Sequence, residues 1–208
     1  MRRAHVEGVV QTCASLCRRF DEPEYRGRLA AWVHDLAREW PAERLLQQAE
    51  AFGIVGDDVE REMPFLLHGP VIAAWVRQEW GLDDIEILKA VANHTTGRPG
   101  MGRLELILYV ADAIEPGRSF AGVEELRRLA SDDLERAALA ISESMIHYLL
   151  GAGLLIHPQT LLTRNDLLRR VRARSGGNGV TGWKTELAQS VQGWRAGRGK
   201  EVGDGNPG

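Results

Sequence analysis

The sequence predicts an all-α fold, a compact helical bundle. Three observations carry that expectation. Apolar residues recur at helical spacing in almost every segment, Pro and Gly stand where helices should begin and end, and no segment alternates apolar with polar residues as a half-buried strand would. A chain of 208 residues is long enough to bury a proper core.

The elements follow in order. Val6 to Phe20 stacks Val6, Val9, Val10, Cys13, Cys17 and Phe20 on one helical face. Cys13 and Cys17 read as small core hydrophobes rather than a redox pair or half a metal site. Leu29 to Leu36 is a second helix. PAERLLQQAEAFG is a third, with Pro41 suited to its first turn and Gly53 to its C-terminal cap. HGPVIAAWVRQEWG repeats the arrangement between Pro70 and Gly81. DDIEILKAVANH opens on acidic residues, which the helix dipole favours. RLELILYVADAIEP runs to Pro116; VEELRRLA, LERAALAISESMIHYLLGAG and PQTLLTRNDLLRRVRARS complete the set.

Residues 1–174 read as one domain and 175–208 as a Gly-rich tail. Ten of the 23 glycines fall in those last 34 residues. Such a stretch cannot bury enough surface to offset its ordering entropy, so it is expected to be mostly disordered and flexible, with a short helix at Trp183 to Trp194. Lys and Arg number 26 against 29 Asp and Glu, a formal charge of -3 that gives no footprint for nucleic acid. No apolar run suits a membrane span, and MRRAHVEG has no apolar stretch behind its charges, which predicts a cytoplasmic protein without a signal peptide.

The chemistry lies in the histidines. His5 heads the first helix, His34 stands beside Asp35 in AWVHDLAR, His68 lies in LLHGP and His94 in ANHTTGRPG. Asp112 interrupts the apolar run LILYVADAIEP. A carboxylate buried in such surroundings is costly without a partner, and no matching Lys is at hand. Metal binding answers all of these positions together. Imidazole and carboxylate suit Fe, Mn, Co or Zn, and one Asp has two oxygens with which to bridge two ions. Two metals roughly 3.5–4 Å apart can clamp phosphate oxygens and hold a hydroxide, which is a design for hydrolysing phosphate esters and anhydrides.

His5, His34-Asp35 and Asp112 resemble the H…HD…D signature of HD-domain metal-dependent phosphohydrolases, and His68 and His94 match the extra histidines of the subset that binds two metals. HDLAR, LLHGPV, NHTTGRPGM and YVADAIEPGRSFAGVEEL are further similar to the YqeK family, bacterial enzymes that split diadenosine tetraphosphate symmetrically into two ADP. The resemblance spans residues 5 to about 160. It implies a compact HD-domain bundle holding two divalent ions, iron foremost, with Mn, Co and Zn as alternatives. His5, His34, Asp35 and Asp112 would bind the first ion; Asp35 would bridge; His68 and His94 would complete the second. A bridging hydroxide would attack an inner phosphate. The implied partner is a dinucleoside polyphosphate or another nucleotide, and a homodimer is compatible with it.

Other residues are candidates around that centre. Arg38, one turn beyond His34, can neutralise phosphate charge in a catalytic or substrate-binding role. Thr95, Gly97 and Arg98 form a loop able to present backbone N–H groups and a guanidinium to phosphate. Glu115 and Arg118 pair with each other or face the substrate. His147 and His157 lie outside the ligand pattern and read as structural.

The chain departs from the family pattern at Leu36, Ala92-Asn93, Leu106 and Ala113, none of them a metal ligand. Only four residues precede His5. Either translation begins earlier, or His5 lies on a fraying helix end and holds its ion weakly. Two alternatives to a tetraphosphatase stand beside it: an HD-type nucleotidase or alarmone hydrolase, and a non-catalytic metal-containing nucleotide sensor.

Overall fold

The computed structural model describes residues 2–54 and 56–174. The expected tail at 175–208 and its helix at Trp183 to Trp194 lie outside the described residues. Within them the chain is helical, with no strand: α1 (Arg2–Arg19), α2 (Glu24–Val33), α3 (Ala42–Ala51), α4 (Asp58–Glu62), a 3-10 turn (Pro64–Leu67), α5 (His68–Trp80), α6 (Ile85–Asn93), α7 (Arg103–Ile114), α8 (Val123–Asp132), α9 (Leu134–Ala152) and α10 (Pro158–Arg174). No helix among the described residues is long and apolar enough to cross a membrane.

The bundle is built around α7. Leu104 to Ala111, with Ala113 and Ile114, are buried, and a helix apolar on all sides must be enclosed on all sides. Helices α1, α2, α6, α8 and α9 pack about it, while α10 rests on α9. Cys13 and Cys17 are free, buried core residues, as the sequence predicts. The core admits no Cβ at Gly27, where an added methyl would lie 2.4 Å from Cys17 Sγ; glycine lets α2 cross close over α1.

Helix stops follow the expected chemistry. Gly81 and Gly153 take left-handed caps with φ 66° and 67°, and Gly53 has φ 66° just beyond α3. Two differences bear on function. The segment between Gly53 and His68, where the sequence predicts no element, contains α4 and the 3-10 turn. Its start signal is a capping box in which Asp57 accepts from the Glu60 N–H and Glu60 from the Asp57 N–H. The second difference is that α2 stops at Val33 rather than Leu36. Beyond it the chain tightens into turns in which Leu36, Arg38 and Trp40 each bond the carbonyl three residues back. His34-Asp35 is therefore at a helix end and not within a helix.

Candidate metal centre

Helix ends deliver most of the site. His34 caps α2, His68 directly follows the 3-10 turn, and His94 caps α6. The last carbonyls of a helix have no partner within it. His34 and His94 turn back onto such carbonyls, His34 Nδ1 to Ala31 O and His94 Nδ1 to Val91 O, both at 2.7 Å, while His68 Nδ1 meets Phe65 O at 2.5 Å, a carbonyl that also accepts the His68 backbone N–H. A carbonyl only accepts, so Nδ1 carries the proton in each ring and Nε2 is left as a lone pair. All three Nε2 atoms point inward. The rings form a continuous array with His5, with centroids 4.8–5.7 Å apart.

Glycine makes one of these approaches feasible. An added Cβ at Gly69 would stand 2.9 Å from Val91 O and 3.2 Å from His94 Nδ1. Without it the first turn of α5 sits against the end of α6, and His68 meets His94. The sequence reading missed this role; its signal was a Gly directly after a candidate ligand.

Asp35 lies at the middle of the array. Its Oδ2 is 3.8 Å from His5 Nε2 and 3.7 Å from His34 Nε2, while its Oδ1 is 3.2 Å from His68 Nε2 and 3.8 Å from His94 Nε2. The donors thus fall into two adjoining groups, His5–His34–Asp35 and Asp35–His68–His94, that share one carboxylate. Asp112 stands beside the first group, with Oδ1 3.1 Å from His5 Nε2. Asp112 is not the sealed, unpartnered carboxylate that its apolar flanks suggest. Its side chain is 27% exposed and Arg118 binds both its Oδ1 and its carbonyl at 3.0 Å.

The electrostatics ask for a cation. His34 Nε2 is buried with no hydrogen-bond partner. His68 Nε2 and His94 Nε2 face each other at 2.9 Å, two lone pairs with no proton between them when both rings are neutral. A shared proton is a poor remedy, because burial pushes His68 down to about 4, with His94 and Arg38 adding to the effect against the pull of Asp35. Burial likewise lowers His34, helped by His94. Burial opposes the charge on Asp35, yet His68 and His94 outweigh it and hold the carboxyl well below its ordinary range. His5 differs: burial works against its charge, but Asp112 and Glu115 prevail and raise it. Aligned neutral imidazoles around an ionised carboxylate fit a borderline divalent ion.

The other candidates occupy varied places. Arg38 is exposed, stacks over Phe65 at 5.2 Å and is close enough to bias His68. Thr95 Oγ1 is 3.3 Å from His94 Nε2, at the edge of the array. Gly97, at φ 66°, packs on α10, where an added Cβ would be 2.5 Å from Thr163 Cγ2. Arg98 grips Glu105 through Nε and Nη2, both at 2.6 Å, and Glu105 also accepts from Asn93. Glu115 is buried, beside His5 and Arg118.

A separate group, Asp57–Glu60–His157, also brings potential ligands together. His157 Nε2 lies 3.2 Å from Asp57 Oδ2 and 3.5 Å from Glu60 Oε1. Its wiring is reversed, however. His157 Nδ1 accepts the Gln159 backbone N–H at 3.1 Å, which leaves the proton of the neutral ring on Nε2. A protonated nitrogen cannot ligate. The group joins the start of α10 to α4 by proximity of charge, since His157 Nε2, like His34 Nε2, is buried without a hydrogen-bond partner.

The helical fold and the His–Asp array define an HD domain, and the HD-domain model matches residues 2–117. The chain belongs to that family. It is 38% identical over 167 residues to the symmetrical bis(5'-nucleosyl)-tetraphosphatase of Bacillus subtilis, covering 80% of this chain and 89% of that one. The enzyme of the same description from Halalkalibacterium halodurans is 39% identical over 175 residues, again with 80% and 89% covered. Among solved structures, a protein from Clostridium acetobutylicum described as a predicted HD superfamily hydrolase involved in NAD metabolism aligns with a TM-score of 0.79 at 37% identity, covering 82% of this chain and 90% of that one.

Proposed function

We propose that this chain hydrolyses dinucleoside tetraphosphates symmetrically, converting diadenosine tetraphosphate and water into two ADP. One observation carries the reading: the two oxygens of Asp35 face two different groups of inward Nε2 atoms. Asp35 would serve both of two divalent ions, iron foremost. His5, His34 and Asp112 would hold the first with it, and His68 and His94 the second. Bound ions supply Lewis-acid charge and a water acidified to a usable nucleophile.

The protein's own groups do the rest. The i−3 carbonyls keep His34, His68 and His94 in the tautomer that leaves Nε2 free. Arg118 holds Asp112 by its carbonyl and by Oδ1, the same oxygen that His5 faces, fixing the direction of that carboxylate. Arg38, exposed at the rim, would offset the charge of the phosphate chain. Thr95 would hydrogen-bond a phosphate oxygen next to His94. Gly97 and Arg98 would act through the loop they brace against Thr163 and Glu105. The similarity to two tetraphosphatases over most of both chains supports the substrate class.

The test is product analysis. The protein, loaded anaerobically with iron or manganese, is given diadenosine tetraphosphate and the nucleotides are resolved by chromatography. ADP alone is expected. ATP with AMP would move the attack to an outer phosphate and overturn symmetrical cleavage. Absence of turnover with metal bound would overturn the substrate assignment and favour another nucleotide.

A further inference from the structure

His34, His68 and His94 are oriented by carbonyls of their own helix ends, a device His5 cannot use. His5 lies inside α1, where the carbonyl three residues earlier belongs to the helix ladder. Its Nδ1 instead meets Glu115 Oε1 at 3.2 Å, a partner 110 residues away. A carboxylate has no proton to give, so Nδ1–H donates to Glu115, while Nε2 faces two further carboxylates, Asp112 Oδ1 at 3.1 Å and Asp35 Oδ2 at 3.8 Å, where either a proton or an ion is called for.

Glu115 is built into this position. It is 3% exposed, although it stands beyond the C-terminus of α7 among residues that otherwise reach solvent. Its Oε2 accepts the Gly117 N–H at 2.5 Å, and Arg118 Nε lies 3.7 Å from Oε1. Helix α1 leaves room for it at one residue: an added Cβ at Gly8 would be 2.5 Å from Glu115 Oε2 and 3.3 Å from Pro116 Cδ. Gly8 is one turn from His5 on the same face of α1. The glycine admits the carboxylate that the histidine needs.

We infer that Glu115 is a positioning residue that fixes the tautomer and aim of His5 toward the metal centre, and that Gly8 is the vacancy in α1 that admits it. This rests on the metal-centre reading above. It places Glu115 behind a ligand and away from the substrate, and it anchors His5 to a residue 110 positions away. Partners of this kind raise ligand basicity and restrict the ring, and their loss typically costs about 10–100-fold in metal affinity.

The experiment uses the full chain and the variants Glu115→Ala, Glu115→Gln and Gly8→Ala. Divalent binding to the metal-free protein is followed by calorimetry with manganese, and the His5 tautomer by long-range proton–nitrogen NMR at alkaline pH, with and without zinc. Glu115→Ala is expected to weaken one of two binding events by about 10–100-fold, leave the other near its original value and lose the hydrogen-bonded Nδ1–H signal of His5. Glu115→Gln, whose amide oxygen can still accept, should recover part of both readouts. Gly8→Ala touches neither ion nor substrate and should reproduce the Glu115→Ala pattern, because its methyl displaces the carboxylate. Unchanged manganese affinities and an unchanged His5 Nδ1–H signal in Glu115→Ala would overturn the inference, and a raised KM in that variant would make Glu115 a substrate contact. If the wild-type protein bound no divalent ion, the metal-centre reading would fall. The comparison of the His5 Nδ1–H signal in metal-free wild type and Glu115→Ala would still decide the link between Glu115 and His5.

Discussion

Histidine meets carboxylate in two regions of this molecule, with opposite wiring. Around Asp35, three imidazoles donate from Nδ1 to carbonyls and present bare Nε2 atoms to one another. Around Asp57 and Glu60, His157 accepts at Nδ1 from the Gln159 N–H and so presents a protonated Nε2 to the two carboxylates. The difference comes from which end of a helix the ring meets. C-terminal ends expose carbonyls and force the proton onto Nδ1; N-terminal ends expose N–H groups and force it onto Nε2. Similar residue types at similar separations thus become a cation site in one place and a latch in the other.

That contrast can be broken in several ways. The largest effect is expected from Asp35→Ala, which removes the shared carboxylate. Metal analysis should find both ions lost, and turnover should fall by ~10³-fold or more, beyond what loss of one electrostatic contact usually costs. Full metal content in that variant would refute the bridging role. Chelation comes next. Ions present at ~100 times their Kd stabilise a protein by about 2.7 kcal/mol, so stripping them should lower Tm by about 5–10 °C in calorimetry. Asp57→Asn with Glu60→Gln should leave that difference intact, since the latch holds no ion.

Acid should act on the metal-free centre more gently. His68 is pushed from 6.5 to about 4 when folded. Between those values the unfolded chain binds the extra proton and the folded one does not, so stability falls as pH drops from 6.5 toward 4. A urea titration series across that range, compared with His68→Asn, would show whether the loss belongs to this ring. The smallest effect is expected from His157→Ala: metal content unchanged, and stability lower by about 0–1 kcal/mol because the part-exposed Asp57 and Glu60 carboxylates lose a polar neighbour. Loss of metal without unfolding would place His157 with the ligands instead.

Much of the architecture was legible because helix signals are local. Pro41, Gly53, Gly81 and the acidic start of α6 each act within a turn of their own position, and the mostly apolar α7 announces that it must be enclosed. The His–Asp set was legible as residue types in order, since imidazole next to carboxylate in apolar runs demands a partner. α4 was missed although its capping box can be read, because it is five residues long and has no buried face.

What the sequence by itself determined is the inventory: an all-α chain, its helix starts and stops, and a set of histidines and aspartates suited to divalent ions. Only the tertiary structure decided which nitrogen each histidine presents, that Asp112 is steadied by Arg118, that Arg98 is bound to Glu105, and that Glu115 sits behind His5. Proton placement on an imidazole depends on a single hydrogen bond of about 3 Å. The partner in that bond can be three residues away, as for His34, or 110 away, as for His5. A one-dimensional pattern carries the first distance and not the second.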